Sequence, residues 1–268
     1  MRVACVQLRS GGDVGTNVAA AEALIRKAAE EGADLVATPE MTHLLVRGRD
    51  ALLESVREEG EDDGLVRFRE LAGELGIHIL IGSLAVREGT ALRNRSFLLG
   101  PDGDVVARYD KMHMFDATVS SADTWRESAT YRAGGAPVVA EVGDMKLGMS
   151  VCYDLRFPEL YRFYARKGCH LLSVPAAFTV PTGRAHWEVL LRARAIESGA
   201  YVIAPAQGGR HPDGRETYGH SVIVGPWGEV LARLEHDEPG FIFADTDMDE
   251  VERARGRIPA WSVEPRVR

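Results

Sequence analysis

The sequence predicts an α/β fold made of two similar halves, with their sheets packed together and their helices outside. Strand-length apolar runs alternate with helix-length periodic segments, which is typical of layered α/β proteins. Several segments of the first half are echoed, in the same order, in the second. The 268 residues are 45% hydrophobic and 27% charged, a length and composition that allow a large core without disulfides. We expect the whole chain, residues 1–268, to form one domain.

The first half opens with a strand, a helix and a second strand. The apolar segment 3–8 predicts the first strand, the Ala- and Leu-rich segment 17–31 the helix, and the run 33–38 the second strand. Further on, the patterns predict a helix at 64–75, strands at 78–84, 94–99 and 105–109, and a turn at 101–103. Residues 110–136 lack clear periodicity, and we expect an ordered loop with a functional role there.

Three echoes support an internal duplication. MRVACVQL at 1–8 resembles MKLGMSVC at 145–152, GADLVATP at 32–39 resembles GCHLLSVP at 168–175, and LGPDGDVVAR at 99–108 resembles VGPWGEVLAR at 224–233. We therefore expect equivalent strands in the two halves.

The echoes also predict that the doubled fold carries a single reactive site. The positions that match Glu40, Lys111 and Cys152 in the opposite half hold Ala176, His236 and Leu8. Neither alanine nor leucine can replace the reactive group that it matches.

Charge and cysteine usage exclude several classes of protein. The net charge is −8 and the basic residues are scattered, so we expect no nucleic-acid partner. Three cysteines argue against a disulfide framework and for a reducing compartment such as the cytoplasm, and no two lie at metal-ligand spacing. The N-terminal segment is expected to be a strand, not a signal peptide, and no run of eighteen apolar residues predicts a membrane span.

Cys152 follows a predicted strand at 147–151. Asp154 could cap the following helix, with Pro158 in its first turn. A thiol facing a helix N-terminus favours the thiolate, and the free N–H groups there could bind an oxyanion. The alternative is a small buried side chain, the usual fate of a free cysteine, and this is how we interpret Cys5 and Cys169.

Two further residues are candidates for acid–base and electrostatic roles. Glu40 ends an apolar strand, where partial desolvation would raise its pKa toward that of a useful general base. Lys111, among apolar neighbours, could stabilise an oxyanion. Each residue has a plain alternative: Glu40 could be a surface charge at a strand end, and Lys111 an exposed loop lysine. Glu127 could likewise be an exposed loop residue.

Histidine is the usual base for a cysteine nucleophile, so His186, His211 and His220 are also candidates. His186 begins a helix predicted at 185–197, where capping or packing is a sufficient role. His220 lies in a predicted strand. Spacing alone leaves a Cys/His pair open.

Three ordered segments carry a resemblance to a known family. LVATPE at 35–40, YDKMHMFD at 109–116 and GMSVCYDLRFPE at 148–159 are similar to the glutamate, lysine and cysteine segments of the nitrilase superfamily of carbon–nitrogen hydrolases. The resemblance implies a four-layer α-β-β-α sandwich. It also implies Glu40 as general base, Lys111 as stabiliser of the tetrahedral intermediate, Cys152 as nucleophile and Glu127 as a substrate-positioning glutamate. We expect the backbone N–H of Tyr153 to assist at the oxyanion, with no metal or cofactor.

Within the superfamily, segments 182–197, 206–211 and 218–221 resemble the branch of deaminated-glutathione amidases and ω-amidases. Arg184 stands where that branch commonly has proline. The resemblance implies a homodimer or higher homo-oligomer, although the tail at 259–265, a region that often supports subunit contacts in relatives, departs from the branch pattern.

The activity implied is hydrolysis of a linear carboxamide to an acid and ammonia through a cysteine thioester. The first substrate expected is deaminated glutathione, whose carboxylates need cationic partners, and Arg156, Arg184 and Arg210 are the candidates. Arg156 is equally suited to a structural ion pair. The alternative substrate is a small ω-amide such as 2-oxoglutaramate, and a distant alternative is an inactive binding protein.

Overall fold

The computed structural model describes residues 1–120 and 123–264, so Pro265, the last residue of the divergent tail at 259–265, lies outside the described residues together with 266–268. Within these ranges the chain forms two six-stranded sheets, two short hairpins and six α-helices. None of the helices in the described ranges combines the length and apolarity that a membrane crossing requires.

The first sheet has the order β16-β1-β2-β3-β4-β5. Its strands are β1 (Arg2–Gln7), β2 (Leu35–Ala37), β3 (His78–Glu88), β4 (Ala91–Leu99), β5 (Val105–Asp110) and, from the end of the chain, β16 (Gly240–Asp245). Strands β1, β2 and β3 are parallel, and the other pairings are antiparallel. The helices of this half are α1 (Val14–Glu30), the short α2 (Arg49–Ser55) and α3 (Asp63–Leu75).

The second sheet repeats that arrangement in the order β8-β9-β10-β11-β14-β15. Its strands are β8 (Val138–Val142), β9 (Met145–Met149), β10 (Leu171–Ser173), β11 (Tyr201–Ala204), β14 (Val222–Val224) and β15 (Val230–Arg233). The hairpins are β6 (Asp116–Ser120) with β7 (Asp123–Arg126), and β12 (Gly208–Arg210) with β13 (Glu216–Tyr218). The remaining helices are α4 (Pro158–Arg166), α5 (Val180–Ser198) and α6 (Met248–Arg257).

Side-chain alternation along β1 separates two layers of the core. Val3 and Cys5 pack in a cluster with residues of the second sheet, such as Leu147. The intervening Ala4 and Val6 pack in another cluster with α1 and α3. Because side chains alternate across a strand, one sheet buries both faces. The result is the α-β-β-α sandwich that the resemblance implies.

The strand registers confirm the internal duplication. Val3 pairs with Leu35 and, at the equivalent place, Leu147 pairs with Leu171. Leu99 pairs with Val105 across one turn, and Val224 with Val230 across its echo, each beside a register shift. The sequence echoes therefore mark equivalent backbone positions.

Several local predictions were wrong. Residues 110–136 are not one loop, because they contain the β6–β7 hairpin and a 3-10 turn at Glu127–Ala129. Helix α5 begins at Val180, so His186 lies inside it. His220 lies between β13 and β14 with φ 58°, outside any strand. Asp154 does not cap α4, although Pro158 does occupy its first turn.

Candidate active site

Glu40 is positioned by the close approach of two neighbouring strands. It lies three residues beyond the end of β2, beside the part of β3 where the pairing of β3 with β4 shifts in register. Gly82 permits the approach, because a Cβ at this position would lie 2.0 Å from Thr38 O. Met41 N donates to the Ser83 hydroxyl at 2.9 Å and fixes the turn. Glu40 is therefore buried, not an exposed charge at a strand end.

Lys111 joins two carboxylates. It directly follows β5 and is only 2% exposed. Its Nζ donates to Glu40 Oε1 at 2.9 Å and to Glu127 Oε1 and Oε2 at 2.9 and 2.7 Å. The ammonium is therefore not that of an exposed loop lysine: it neutralises the buried Glu40 and the partly buried Glu127 at one point.

Asn94 is a member of the same cluster that the sequence interpretation missed. Its Nδ2 donates to Glu40 Oε1 at 2.9 Å and to Glu127 Oε1 at 3.1 Å. Phe115 N adds a bond of 2.6 Å to Glu127 Oε2. A strand asparagine is unusual, because this residue type is depleted from strands. That rarity is the only signal that could have identified Asn94.

Cys152 lies at a sharp turn three residues beyond the end of β9. Its φ of 52° is in the left-handed region, a conformation that non-glycine residues seldom adopt and that clusters at functional sites. Its N–H donates to Pro175 O at 2.9 Å. The next N–H, that of Tyr153, donates to no described residue and is free to meet an oxyanion.

The charges of the cluster set its resting protonation. Burial raises the pKa of Cys152, the nearby Glu40 carboxylate raises it further, and Lys111 offsets only part of this. Burial also favours neutral Glu40, but Lys111 and hydrogen bonds from Cys152, Lys111 and Asn94 lower its pKa overall. Burial opposes the ammonium, yet Glu127 and Glu40 raise the pKa of Lys111. The resting site is thus a thiol, a carboxylate and an ammonium.

Two electrostatic predictions from sequence were therefore wrong. The Glu40 pKa is lowered, not raised, because the prediction considered desolvation without the cation beside it. The Cys152 pKa is raised, because the turn after it is a short 3-10 segment within a buried site and the thiol lies next to a carboxylate. Thiolate formation must be coupled to proton transfer.

These groups contribute to the lining of a cavity of about 440 Å³. Cys152, Glu40, Lys111 and Glu127 all line it. The rest of the lining is mostly apolar, aromatic or basic. Its apolar and aromatic residues include Met41, Leu44, Leu45, Val46, Leu52, Phe115, Trp125 and Tyr131.

The basic wall differs from the one expected. Arg156, Arg184 and Arg210 do not line the cavity. Arg156 packs over the rings of Phe178 and Tyr153, whereas Arg184 and Arg210 are exposed on α5 and β12. The arginines that do line it are Arg47, Arg49, Arg126 and Arg215. With Lys111 they outnumber the three lining carboxylates, so a protein of net charge −8 has a cationic cavity.

The three candidate histidines also lie elsewhere. His211 is held between Ser10 O at 2.8 Å and Thr217 Oγ1 at 2.7 Å. His220 Nδ1 lies 2.6 Å from Tyr218 O, and His186 lies beside Arg156. None of the three lines the cavity, so the structure does not form the Cys/His pair that spacing left open.

Comparisons with known proteins show the family of the chain. Residues 2–256 match the family model described as carbon-nitrogen hydrolase. The chain is 39% identical over 262 residues to deaminated glutathione amidase of Synechocystis, covering 96% of this chain and 95% of that protein. It is 34% identical to human omega-amidase NIT2, covering 97% and 93%.

The chain also aligns with the solved structure of an amidase. The glutamate-to-glutamine mutant of the amidase from Nesterenkonia sp. AN1, with acrylamide added at its active site cysteine, aligns with a TM-score of 0.80 at 29% identity. The alignment covers 98% of this chain and all of that one. The chain belongs to the carbon–nitrogen hydrolase family, within the nitrilase superfamily predicted from its motifs, and is a hydrolase of carbon–nitrogen bonds other than peptide bonds.

Proposed function

We propose that residues 1–268 form a single carbon–nitrogen hydrolase domain whose site is an amidase centre, with Cys152 as nucleophile, Glu40 as general base and Lys111 as oxyanion stabiliser. The observation that carries the proposal is that all three line the same cavity, with Lys111 Nζ 2.9 Å from Glu40 Oε1. A thiol, a base and a fixed cation are the groups that acyl transfer to sulfur requires.

Acylation begins when Glu40 takes the proton of the Cys152 thiol as sulfur attacks the amide carbon. The new C–S bond moves an electron pair onto the carbonyl oxygen, where Lys111 Nζ and Tyr153 N–H stabilise it. Collapse of this intermediate breaks the C–N bond. Glu40 returns its proton to the leaving nitrogen, and a thioester remains.

Deacylation uses the same groups with water as nucleophile. Glu40 takes a proton from water as its oxygen attacks the thioester carbon, and the oxyanion forms again beside Lys111. Collapse expels sulfur, which regains its proton from Glu40. Glu127 holds Lys111 and Asn94 holds Glu40, and the hydrogen bond from Asn94 to Glu127 joins the two throughout.

Deaminated glutathione is the substrate we favour. The cationic cavity supports an anionic amide, and a cavity of this volume has room for more than a minimal ω-amide. Its amide joins a 2-oxo acid to cysteinylglycine, so its leaving group is an amine and not the ammonia expected in the sequence analysis, whereas 2-oxoglutaramate does release ammonia. The 2-oxoglutaramate reaction is the second candidate, supported by the similarity to omega-amidase NIT2.

The test is to compare the release of 2-oxoglutarate, the acid common to both reactions, from the two substrates. A higher kcat/KM for deaminated glutathione supports the first assignment, and the reverse order supports the ω-amide. Release from neither, with no thioester on Cys152, would contradict both and favour the inactive binding protein. The Cys152→Ala variant is the blank for each measurement.

We also propose a homodimer in the cytoplasm. All three cysteines are free and buried, which fits a reducing compartment. For assembly, α5 exposes Val189 and Ile196 on one side, and Ile196 lies against Gly228, next to the exposed Trp227. Sedimentation of Ile196→Glu should show monomers, while Val66→Glu on α3 should leave the dimer unchanged.

A further inference from the structure

One guanidinium in the cavity wall has donors that the protein does not use. Arg215 follows the turn that leads into β13, and its side chain is 16% exposed. Its Nη2 donates to Val46 O at 3.0 Å. Asp213 Oδ2 forms an ion pair with Nη2 at 3.3 Å, without a hydrogen bond. The partners of the Arg215 guanidinium are thus limited to its Nη2 atom.

The rest of the guanidinium has no acceptor. Arg215 Nε is buried without a hydrogen-bond partner among the described residues, and Nη1 donates to none of them. Burying polar donors unpaired costs free energy, so they are rare in folded proteins. Burial also disfavours the cation, and it lowers the pKa of Arg215. Such a group calls for an anionic acceptor.

A second unused donor lies in the same wall. Trp125 Nε1 is buried without a partner among the described residues. Arg215 Cζ lies 5.3 Å from the centroid of the Trp125 ring, and Arg47 Cζ lies 5.8 Å from it. Two cations and an indole N–H therefore share one region of the wall, and this region belongs to the cavity that Cys152 lines.

We propose that Arg215 is a specificity-determining residue that binds the carboxylate of the substrate's acyl chain, with Trp125 Nε1 beside it. The substrate class is then ω-amides whose acyl part ends in a carboxylate, a feature common to 2-oxoglutaramate and deaminated glutathione. This inference rests on the proposed amidase function. It adds that the anionic end of the acyl chain meets Arg215, not the exposed arginines of α5 and β12.

The test compares glutaramate with pentanamide, two amides that differ only by a carboxylate in place of a methyl group. Arg215→Gln should lower kcat/KM for glutaramate about 10- to 100-fold, mostly through KM, because it removes a charge-assisted hydrogen bond. Pentanamide hydrolysis should not change. Arg215→Lys should restore part of the preference, because it keeps the charge.

Arg87→Gln is the matched control. The Arg87 guanidinium also donates to a backbone carbonyl, Leu53 O at 3.0 Å, but it does not line the cavity. Equal losses on both amides in Arg215→Gln, without rescue by Arg215→Lys, would indicate a structural role and overturn the proposal. So would an unchanged preference for glutaramate. Thermal unfolding of each variant checks that it is folded.

A binding measurement separates this inference from the proposed function. In Cys152→Ala, calorimetry should show tighter binding of glutaramate than of pentanamide, and Arg215→Gln in that background should remove the difference. Equal affinity for the two amides overturns the role of Arg215 even if turnover is seen. Selective binding without turnover in the wild type would instead contradict the amidase proposal and leave Arg215 as the anion site.

Discussion

Asp154 accepts two hydrogen bonds from His113, one from its backbone N at 3.0 Å and one at Nδ1 at 2.7 Å. The same buried carboxylate accepts from Tyr109 Oη at 2.7 Å and from Val151 N at 2.9 Å. These donors come from the segment around Lys111 and from the residue before Cys152. Asp154 therefore ties the lysine segment to the cysteine turn and fixes the distance between the two reactive groups.

Asp154→Asn should damage both stability and turnover. An amide keeps the shape but directs an NH₂ group at donors, so at least one buried bond is lost. We expect a fall of about 1–3 kcal/mol in the unfolding free energy and a loss in kcat larger than the change in KM. Urea unfolding and steady-state kinetics measure the two.

Asp62→Asn is the control for that variant. Asp62 is also buried, lies 2.9 Å from His43 Nε2 and accepts from Leu65 N, but it does not line the cavity. It should lose stability and keep kcat. If Asp154→Asn behaves in the same way, Asp154 is structural and does not position the site.

The Cys152 thiol should be a reluctant nucleophile in the absence of substrate. Because burial and the Glu40 carboxylate raise its pKa, alkylation by iodoacetamide should still increase with pH beyond 9. In Glu40→Gln the carboxylate is gone, so the thiol pKa should fall and the alkylation profile should move to lower pH. Intact mass after timed quenching measures the rate. A wild-type plateau near neutral pH would show that the resting residue is a thiolate.

Cys152 should be the sole site of the covalent intermediate. Acid quenching during turnover should trap an acyl group whose mass addition is lost in Cys152→Ala and kept in Cys5→Ala. Burial raises the pKa of Cys5 as well, and this residue lies in the core between the sheets, away from the cavity. An adduct that persists in Cys152→Ala would place the chemistry on another residue.

Most of the fold could be predicted from the sequence because the strand patterns of the first half recur, in the same order, in the second half. Val3 and Leu147 could be matched by eye, and their registers agree. The site's groups were found because the segments around Glu40, Lys111 and Cys152 are similar to the glutamate, lysine and cysteine segments of the nitrilase superfamily. The contacts between them depend on distant segments: Asn94 reaches Glu40 from a strand 54 residues later, and no local pattern records that.

The basic wall shows the same limit. Arg215 and the exposed Arg210 lie on one hairpin with similar neighbours in sequence, and only the three-dimensional fold separates a cavity residue from an exposed one. Likewise, the direction of the Glu40 pKa depends on a lysine from another strand. Local sequence indicates desolvation but not the charge that opposes it.

Lys111→Met should expose how much the paired carboxylates depend on one cation. Methionine fills similar space but leaves the buried Glu40 and the partly buried Glu127 facing each other without their shared cation. We expect the unfolding free energy to fall by about 3–5 kcal/mol. The folded variant then binds protons more readily than the unfolded chain, so its loss of unfolding free energy should be larger at pH 8 than at pH 5.

Two further variants are the controls for Lys111→Met. Lys167→Met, which alters an exposed lysine over Phe163, should change the unfolding free energy little. Adding Glu127→Gln to Lys111→Met should restore part of the stability. Urea unfolding at both pH values measures all three variants. If Lys111→Met alone were as stable as the wild type at pH 8, the ammonium would not hold the two acids together.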